Sequence, residues 1–424
     1  MIVLFATFAV LLLIGAPVGA ALLLSSIAAI AALGLPPDVA VQQMASGLSS
    51  ISLLAIPLFI FAGELMMRGG LSEKIIALAV SLVGRMRGGL GQVTIVSSTL
   101  FGGVSGSAIA DVSAVGGSMI PQMVQRGYDR DFAVNVTISS ALIALLLPPS
   151  HNMILYSASA GGGISITDLF LAGIAPALTI AAVLMATTYL MARRRGYASE
   201  PFPGWRSVLV SFVAATPGLV LVGIIFLGIR SGVFTAIESA AVAVIYAAAI
   251  TALLYRRLRG EAFREAVVGA LRSTGNIMVV IGAAAAFGWV MGYLQAPAAA
   301  VAFMQTVADN PIMVLALMVV ALLILGTFMD MAPLVIIATP VFLPVAKAFG
   351  VDPVHFGVIM ILSCGIGLLT PPVGSVLFIG SAIGGISATQ AVRGMAPFYL
   401  ALLLVLAVVV VWPDFSLTLP RLFH

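Results

Sequence analysis

Charge is scarce in this sequence: 8% of its 424 residues are Asp, Glu, Lys or Arg. No polar stretch is long enough to fold as a water-soluble domain, which excludes a soluble enzyme carrying a single anchor. Cysteine occurs once, as Cys364 in an apolar run, so disulfides and cysteine metal centres are excluded. The Gly-x-x-x-x-Gly-Lys-Ser/Thr phosphate loop is missing, and ATP hydrolysis by this chain is not expected. Neither a Ser/His nor a paired-aspartate arrangement with a clear partner stands out, so no enzymatic activity is expected. The N-terminus, Met1-Ile-Val-Leu-Phe-Ala, has no basic region and continues into a long apolar run; a mature first span is expected rather than a cleaved signal. The net charge of +4 comes from few residues and bears on membrane orientation, not on nucleic acid.

What is present is hydrophobic residue, 62% of the chain, interrupted in a pattern. Residues 2–33 form a first apolar segment with a kink expected at Gly15-Ala-Pro17, 34–47 a connector, and 48–67 a second span. Arg68, Lys74, Arg85 and Arg87 bracket residues 75–84, which are too few to cross a hydrocarbon core of roughly 30 Å and read as an interfacial arm. Residues 92–121 are two short halves around a glycine- and serine-rich break, Phe101-Gly-Gly-Val-Ser-Gly-Ser-Ala, which suits a hairpin entering and leaving on one side. Residues 131–163 are broken at Leu147-Pro-Pro149, and 167–192 form a span before Arg193-Arg-Arg195. An extra span, 207–229, follows. The pattern then restarts with spans at 231–255 and 274–294, a basic loop holding Arg256, Arg257, Arg259, Arg264 and Arg272, and an arm at 295–310. A second hairpin at 312–345, a segment at 354–385 broken at Thr370-Pro-Pro372, and a span at 397–412 complete it.

The two halves match by arithmetic. Gly103, Pro121 and Pro148 are spaced by 18 and 27, and Gly326, Pro344 and Pro371 repeat both spacings. Gly127 and Asp129 correspond to Gly350 and Asp352. One such match is chance; the ordered set indicates duplication. The first half holds four crossings plus a hairpin that does not cross, and the extra span makes the count odd, which inverts the second half. Basic clusters at 68–87, 126–130, 193–206 and 256–272 then share one side, read as cytoplasmic, with Arg230 and Lys347 opposite. The fold expected is an all-α polytopic membrane protein with inverted-topology repeats and two re-entrant helical hairpins. The divisions are a first repeat, 1–192, with scaffold spans and arm in 1–90; a linker and extra span, 193–230; and a second repeat, 231–424, with scaffold in 231–310.

Re-entrant tips expose main-chain groups with no helical partner, tolerable at membrane depth only against protein or a water-filled cavity. Half-helix N-termini suit a carboxylate, and unwound carbonyls and hydroxyls suit a small hard cation. Ser105 and Ser107 supply hydroxyls at the first tip. At the second, Thr327 and Asp330 stand, with Thr370 opening the facing break. The offset sets Asp330 on Ser107 and Thr370 on Leu147, so the two sites are related but chemically unequal. Asp330 is the sharpest candidate, because an acid in so apolar a segment is costly unless paired, hydrated or bound to an ion. Its structural alternative is helix capping. Asp111 is balanced between function and a structural role. For Ser105 and Ser107 the alternative is close helix packing by small residues. Ser150-His151-Asn152 is unusually polar, and substrate contact is favoured over capping. His355 and His424 are expected near the surface, and the methionines and Cys364 in packing.

Those residues carry a resemblance. Gly103-Val-Ser-Gly-Ser-Ala108 with Ile120-Pro-Gln-Met123, Leu147-Pro-Pro-Ser150, Gly326-Thr-Phe-Met-Asp-Met331 and Thr370-Pro-Pro-Val-Gly374 resemble the large membrane subunit of tripartite ATP-independent periplasmic (TRAP) transporters, the DctM-like permease, over essentially the whole chain. The resemblance implies a multi-pass protein of the bacterial or archaeal inner membrane. It implies an elevator-type, sodium-driven importer of an organic acid anion that works with a small four-helix membrane subunit and a periplasmic solute-binding protein. It implies sodium as the coupling ion and no other cofactor: one ion held by Ser105 and Ser107 with carbonyls near Ala144, Leu147 and Pro149, a second around Gly326, Gly367, Thr370 and Val373, and Asp330 in the substrate site. His151 and Asn152 stand where the family motif continues with apolar residues. The alternative is a stand-alone sodium–carboxylate transporter needing no binding protein; an intramembrane enzyme or channel is a more distant one.

Overall fold

The structure is a computed structural model that describes residues 1–424 except Gly162, Glu200, Asp309 and His424, and except the side chain of Ser52. Every regular element among the described residues is helical. Among the described residues seven helices are long and apolar enough to cross a membrane: Ile166–Arg195, Trp205–Arg230, Ala236–Leu254, Gly260–Tyr293, Pro311–Phe328, Met331–Ala348 and Ala388–Val411. Arg130–Leu146 with His151–Ser159, bent by 51° at the Pro-Pro break, makes an eighth. The bend sits where proline removes the donors that would bond the preceding turn.

The duplication is written into the helix boundaries. In the first copy the hairpin limbs are Gly89–Ser105 and a segment from Ala108 to Gln125, followed by a broken helix from Arg130. In the second they are Pro311–Phe328 and Met331–Ala348, followed by a broken helix from Pro353. Limb end, limb start and broken-helix start each recur at the 223-residue offset set by Gly103 and Gly326. The second limb of the first hairpin carries a π-turn at Val112–Gly116 that its counterpart lacks.

The copies are inverted. Arg130, at the start of the first broken helix, donates to the Gly384 carbonyl at the end of the second (3.0 Å). Tyr156, near the end of the first, donates to the Pro353 carbonyl at the start of the second (2.7 Å). The two therefore run antiparallel through the centre, and their hairpins open to opposite sides. The basic clusters meet on one of those sides: Arg257 pairs with Glu73 at 2.7 Å, Arg195 with Asp129 at 2.8 Å, and Arg85 lies over the Phe202 ring at 5.4 Å. Arg230 is at the other, over Phe423 at 3.7 Å.

Around the hairpins and broken helices pack Ile166–Arg195 and Ala388–Val411. A second group gathers along Gly260–Tyr293, against which Val18–Ala32, Asp38–Leu48 and Ala55–Arg68 all pack, with Ala236–Ala249 on Ala55–Arg68. Small residues permit these approaches; a β-carbon on Gly47 would fall 2.3 Å from that of Ala285. Two features differ from expectation. Residues 2–33 are not one kinked span: Ile2–Leu13 and Val18–Ala32 fold back on each other, and Phe5 and Phe8 both reach Phe287. Hydropathy is the same for either arrangement, so composition could not choose. The basic loop at 256–272 is helical from Gly260, so that helix runs 34 residues, roughly 50 Å at 1.5 Å each, longer than a hydrocarbon core of about 30 Å, with Arg264 and Arg272 in its first half.

Candidate functional site

The first hairpin turns at Gly106, whose φ of +59° favours glycine, and the next limb starts at Ser107, whose hydroxyl accepts from the Ala110 N–H at 3.3 Å. This tip is pressed against the Leu147-Pro-Pro149 break. A β-carbon on Gly106 would lie 2.4 Å from the Pro149 carbonyl oxygen, and one on Gly102 would lie 2.8 Å from the Ala144 Cα. Asn152 donates its Nδ2 hydrogen to the Gly106 carbonyl at 3.3 Å. Ser105, Ser107, Ala144 and Pro149 are thus brought together, with Leu147 half-buried in the break.

The second tip repeats the design. Gly326 and Gly367 touch backbone to backbone, and the Val373 and Gly374 N–H groups donate to the Thr327 carbonyl at 3.0 and 3.1 Å. The Thr370 hydroxyl donates to the Ile366 carbonyl at 3.1 Å. Tyr399 donates to the Leu369 carbonyl beside it, a contact the sequence did not suggest. Pro148 and Pro149 are buried while Pro371, Pro372 and Val373 are exposed, so the two breaks are unequal in surroundings as well as in composition.

Between the tips lies a cavity of about 300 Å³. Ser105, Ser107, His151, Asn152 and Asp330 line it, so residues from both hairpins and the first break share one space. Asp330 is exposed to that space. Its Oδ1 accepts from the Met331 N–H at 2.9 Å and from Ser375 Oγ at 3.1 Å, so it caps the second limb while facing the cavity. The opposite wall comes from the second packing group: Glu64 on Ala55–Arg68, and Ser273 and Asn276 on Gly260–Tyr293. These were not anticipated. Glu64 was a readable signal, an acid one turn before Arg68 in an apolar helix, and the two pair at 3.2 Å.

Two sequence candidates, Ser150 and Asp111, lie elsewhere. Ser150 is buried and donates to the Leu145 carbonyl at 2.6 Å, which satisfies an acceptor freed by the break and turns the hydroxyl from the cavity. Asp111 is fully buried between the first hairpin and first broken helix, its Oδ2 accepting from Ser98 at 2.6 Å, with Ser98 3.1 Å from Ser140. His355 is not near the surface as expected; it is 1% exposed and its Nδ1 lies 2.7 Å from Ser416 Oγ. Cys364 is buried among apolar residues, and His424 lies outside the described residues.

Antiparallel broken helices, two hairpin tips and a polar cavity between them define a membrane permease fold. The chain belongs to the family of the tripartite ATP-independent periplasmic transporter DctM component, whose model matches residues 5–415. It is 38% identical to the sialic acid TRAP transporter large permease protein SiaM of Vibrio cholerae, covering 97% of this chain and 96% of that one. It is 37% identical to the 2,3-diketo-L-gulonate TRAP transporter large permease protein YiaN of Escherichia coli, covering 95% and 94%. Among solved structures, the Alcanivorax borkumensis YdaH transporter, described as having an unusual topology, superimposes with a TM-score of 0.63 over 88% of this chain and 87% of that one at 17% identity, a likeness of fold.

Proposed function

We propose that this chain is the large permease subunit of a tripartite, sodium-coupled secondary transporter of the bacterial or archaeal inner membrane that imports an organic acid anion. A small four-helix membrane subunit and a periplasmic solute-binding protein are its partners. The observation that carries this reading is the convergence of two hairpin tips and the first Pro-Pro break on one cavity holding Ser105, Ser107, Asn152 and Asp330. Unwound carbonyls and hydroxyls at such places suit sodium, and a helix N-terminus suits an anion. Ser105 and Ser107 with the Ala144, Leu147 and Pro149 carbonyls hold one ion; Gly326, Gly367, Thr370 and Val373 hold the other. Ser107, His151, Asn152 and Asp330 contact substrate. The transported anion moves with the hairpins, the broken helices and the spans Ile166–Arg195 and Ala388–Val411, which slide as one body against the group built on Gly260–Tyr293. Each sodium entering down a 100 mV potential releases about 2.3 kcal/mol, so two ions drive accumulation of a monoanion.

Relatives named as permeases for sialic acid and for 2,3-diketo-L-gulonate, both organic acids, favour this class of cargo. The test is uptake of labelled organic acids by proteoliposomes under an inward sodium gradient, with and without the small subunit and binding protein. Uptake requiring all components and sodium is expected. Full uptake by the chain alone identifies a stand-alone sodium–carboxylate transporter instead.

A further inference from the structure

Among its described lining residues the cavity has two carboxylates, one imidazole, that of His151, and no ammonium or guanidinium. Glu64 and Asp330 line it from opposite walls, and no Lys or Arg is among its described lining residues. Arg68, one turn from Glu64, is held by Glu64 and Glu265. The rest of the polar lining is the His151 imidazole with the uncharged Ser105, Ser107 and Asn152 on one side, and Ser273 and Asn276 on the other. Asn152 is 1% exposed; its Nδ2 is used by Gly106, while its Oδ1 has no hydrogen-bond partner. With its Oδ1 itself buried, Asn152 offers the cargo no open acceptor.

We infer that the cavity selects a polyhydroxylated monocarboxylate, a sugar-acid anion, by its hydroxyl groups, and disfavours a dicarboxylate. This rests on reading the cavity as the substrate site. Ionised carboxylates only accept hydrogen bonds, and hydroxyls donate one and accept two. Asp330 and Glu64 therefore match hydroxyl donors on the cargo, while Ser273 and Asn276 offer both kinds of partner. A second carboxylate on the cargo would meet like charge from Glu64 and Asp330 and no Lys or Arg, which builds discrimination by repulsion as well as attraction. The cargo's one carboxylate is left to the hairpin tips and their coupling ion. Because hydroxyl partners stand on both walls, recognition needs the Gly260–Tyr293 wall and not the hairpins alone.

Three anions of equal chain length separate the possibilities: gluconate, hexanoate without the hydroxyls, and adipate with a second carboxylate. Melting of the purified full chain is followed in sodium chloride and in choline chloride. Gluconate is expected to raise the melting temperature in sodium, with hexanoate and adipate at least tenfold weaker, as for the loss of hydrogen bonds to charged groups. Stabilisation by adipate or hexanoate equal to that by gluconate overturns the inference and leaves the importer reading standing. No shift with gluconate also overturns it; sodium without effect on melting then counts against the parent reading as well. Asn276→Leu, at a position exposed to the cavity, and Glu64→Gln are each expected to weaken gluconate binding about tenfold, with the sodium-only melting curve as the folding check. Unchanged gluconate affinity in both removes the second wall from recognition.

Discussion

Gly326 and Gly367 meet face to face with no room for a side chain: a β-carbon on Gly367 would fall 2.6 Å from the Gly326 Cα and 2.8 Å from its carbonyl carbon. Backbone cannot swing aside as a flexible side chain can. Gly367→Ala must therefore push the second tip off its break, at a cost of about 1–3 kcal/mol. Melting is expected to drop by several degrees, and sodium-stimulated uptake to fall roughly tenfold or more, since about 1.4 kcal/mol of lost ion binding suffices for that. Gly117→Ala, where an added carbon meets nothing within 4 Å, is the control and leaves both unchanged.

Asp330 does two things, and one pair of substitutions separates them. Its Oδ1 caps the Met331 helix, and its charge faces the cavity. Asparagine is as good an N-cap as aspartate, whereas alanine costs about 1 kcal/mol. Asp330→Asn is thus expected to melt like the parent while losing most sodium-stimulated uptake; Asp330→Ala loses stability too. Full uptake by the asparagine variant would confine Asp330 to capping. Ser107→Ala, which removes the acceptor for the Ala110 N–H, is expected to behave like Asp330→Ala.

The hairpins and broken helices were legible because their signals are local chemistry. Glycine, serine and proline interrupt a helix wherever they stand, and the Gly103/Gly326 offset reappears in the ends at Ser105 and Phe328 and the starts at Ala108 and Met331. What was not legible depends on distant packing. Nothing in the run 2–33 says that Phe5 and Phe8 will both seek Phe287 across a tight turn. Asn276 becomes a cavity residue only because its helix faces Asp330 from another part of the chain. Ser150 stands at the break in the sequence, but the direction of its hydroxyl depends on the Leu145 carbonyl left open there.

On sequence alone Asp111 is balanced between two roles, and its geometry yields a test. It lies outside the cavity wall, tied through Ser98 to Ser140 on the first broken helix. Removing one partner of a buried hydrogen bond costs about 1–3 kcal/mol. Asp111→Ala is expected to lower the melting temperature by that measure and to leave the sodium concentration for half-maximal uptake unchanged in the folded protein. A shift in that concentration would move Asp111 into the ion site.

Arg195 lies at the end of the hairpin group where the basic clusters meet. Its guanidinium reaches Asp129 at 2.8 Å and Asp131 at 3.0 Å, and lies 5.8 Å from the centre of the Phe132 ring; Tyr197 donates to Asp129 at 2.7 Å. Half-exposed pairs are individually worth about 0–1 kcal/mol, but here one planar fork serves two carboxylates and a ring. Arg195→Ala is expected to cost about 1 kcal/mol or somewhat more, and Arg195→Lys to recover less than half, because an ammonium cannot bridge both acids in one plane. The deficit should shrink as salt rises, since screening weakens the parent's pairs and cannot weaken those the variant lacks. Uptake per folded molecule should not change, because the cluster is remote from the cavity lining. Equal melting of parent and alanine variant at low salt would show that these contacts contribute nothing to the fold.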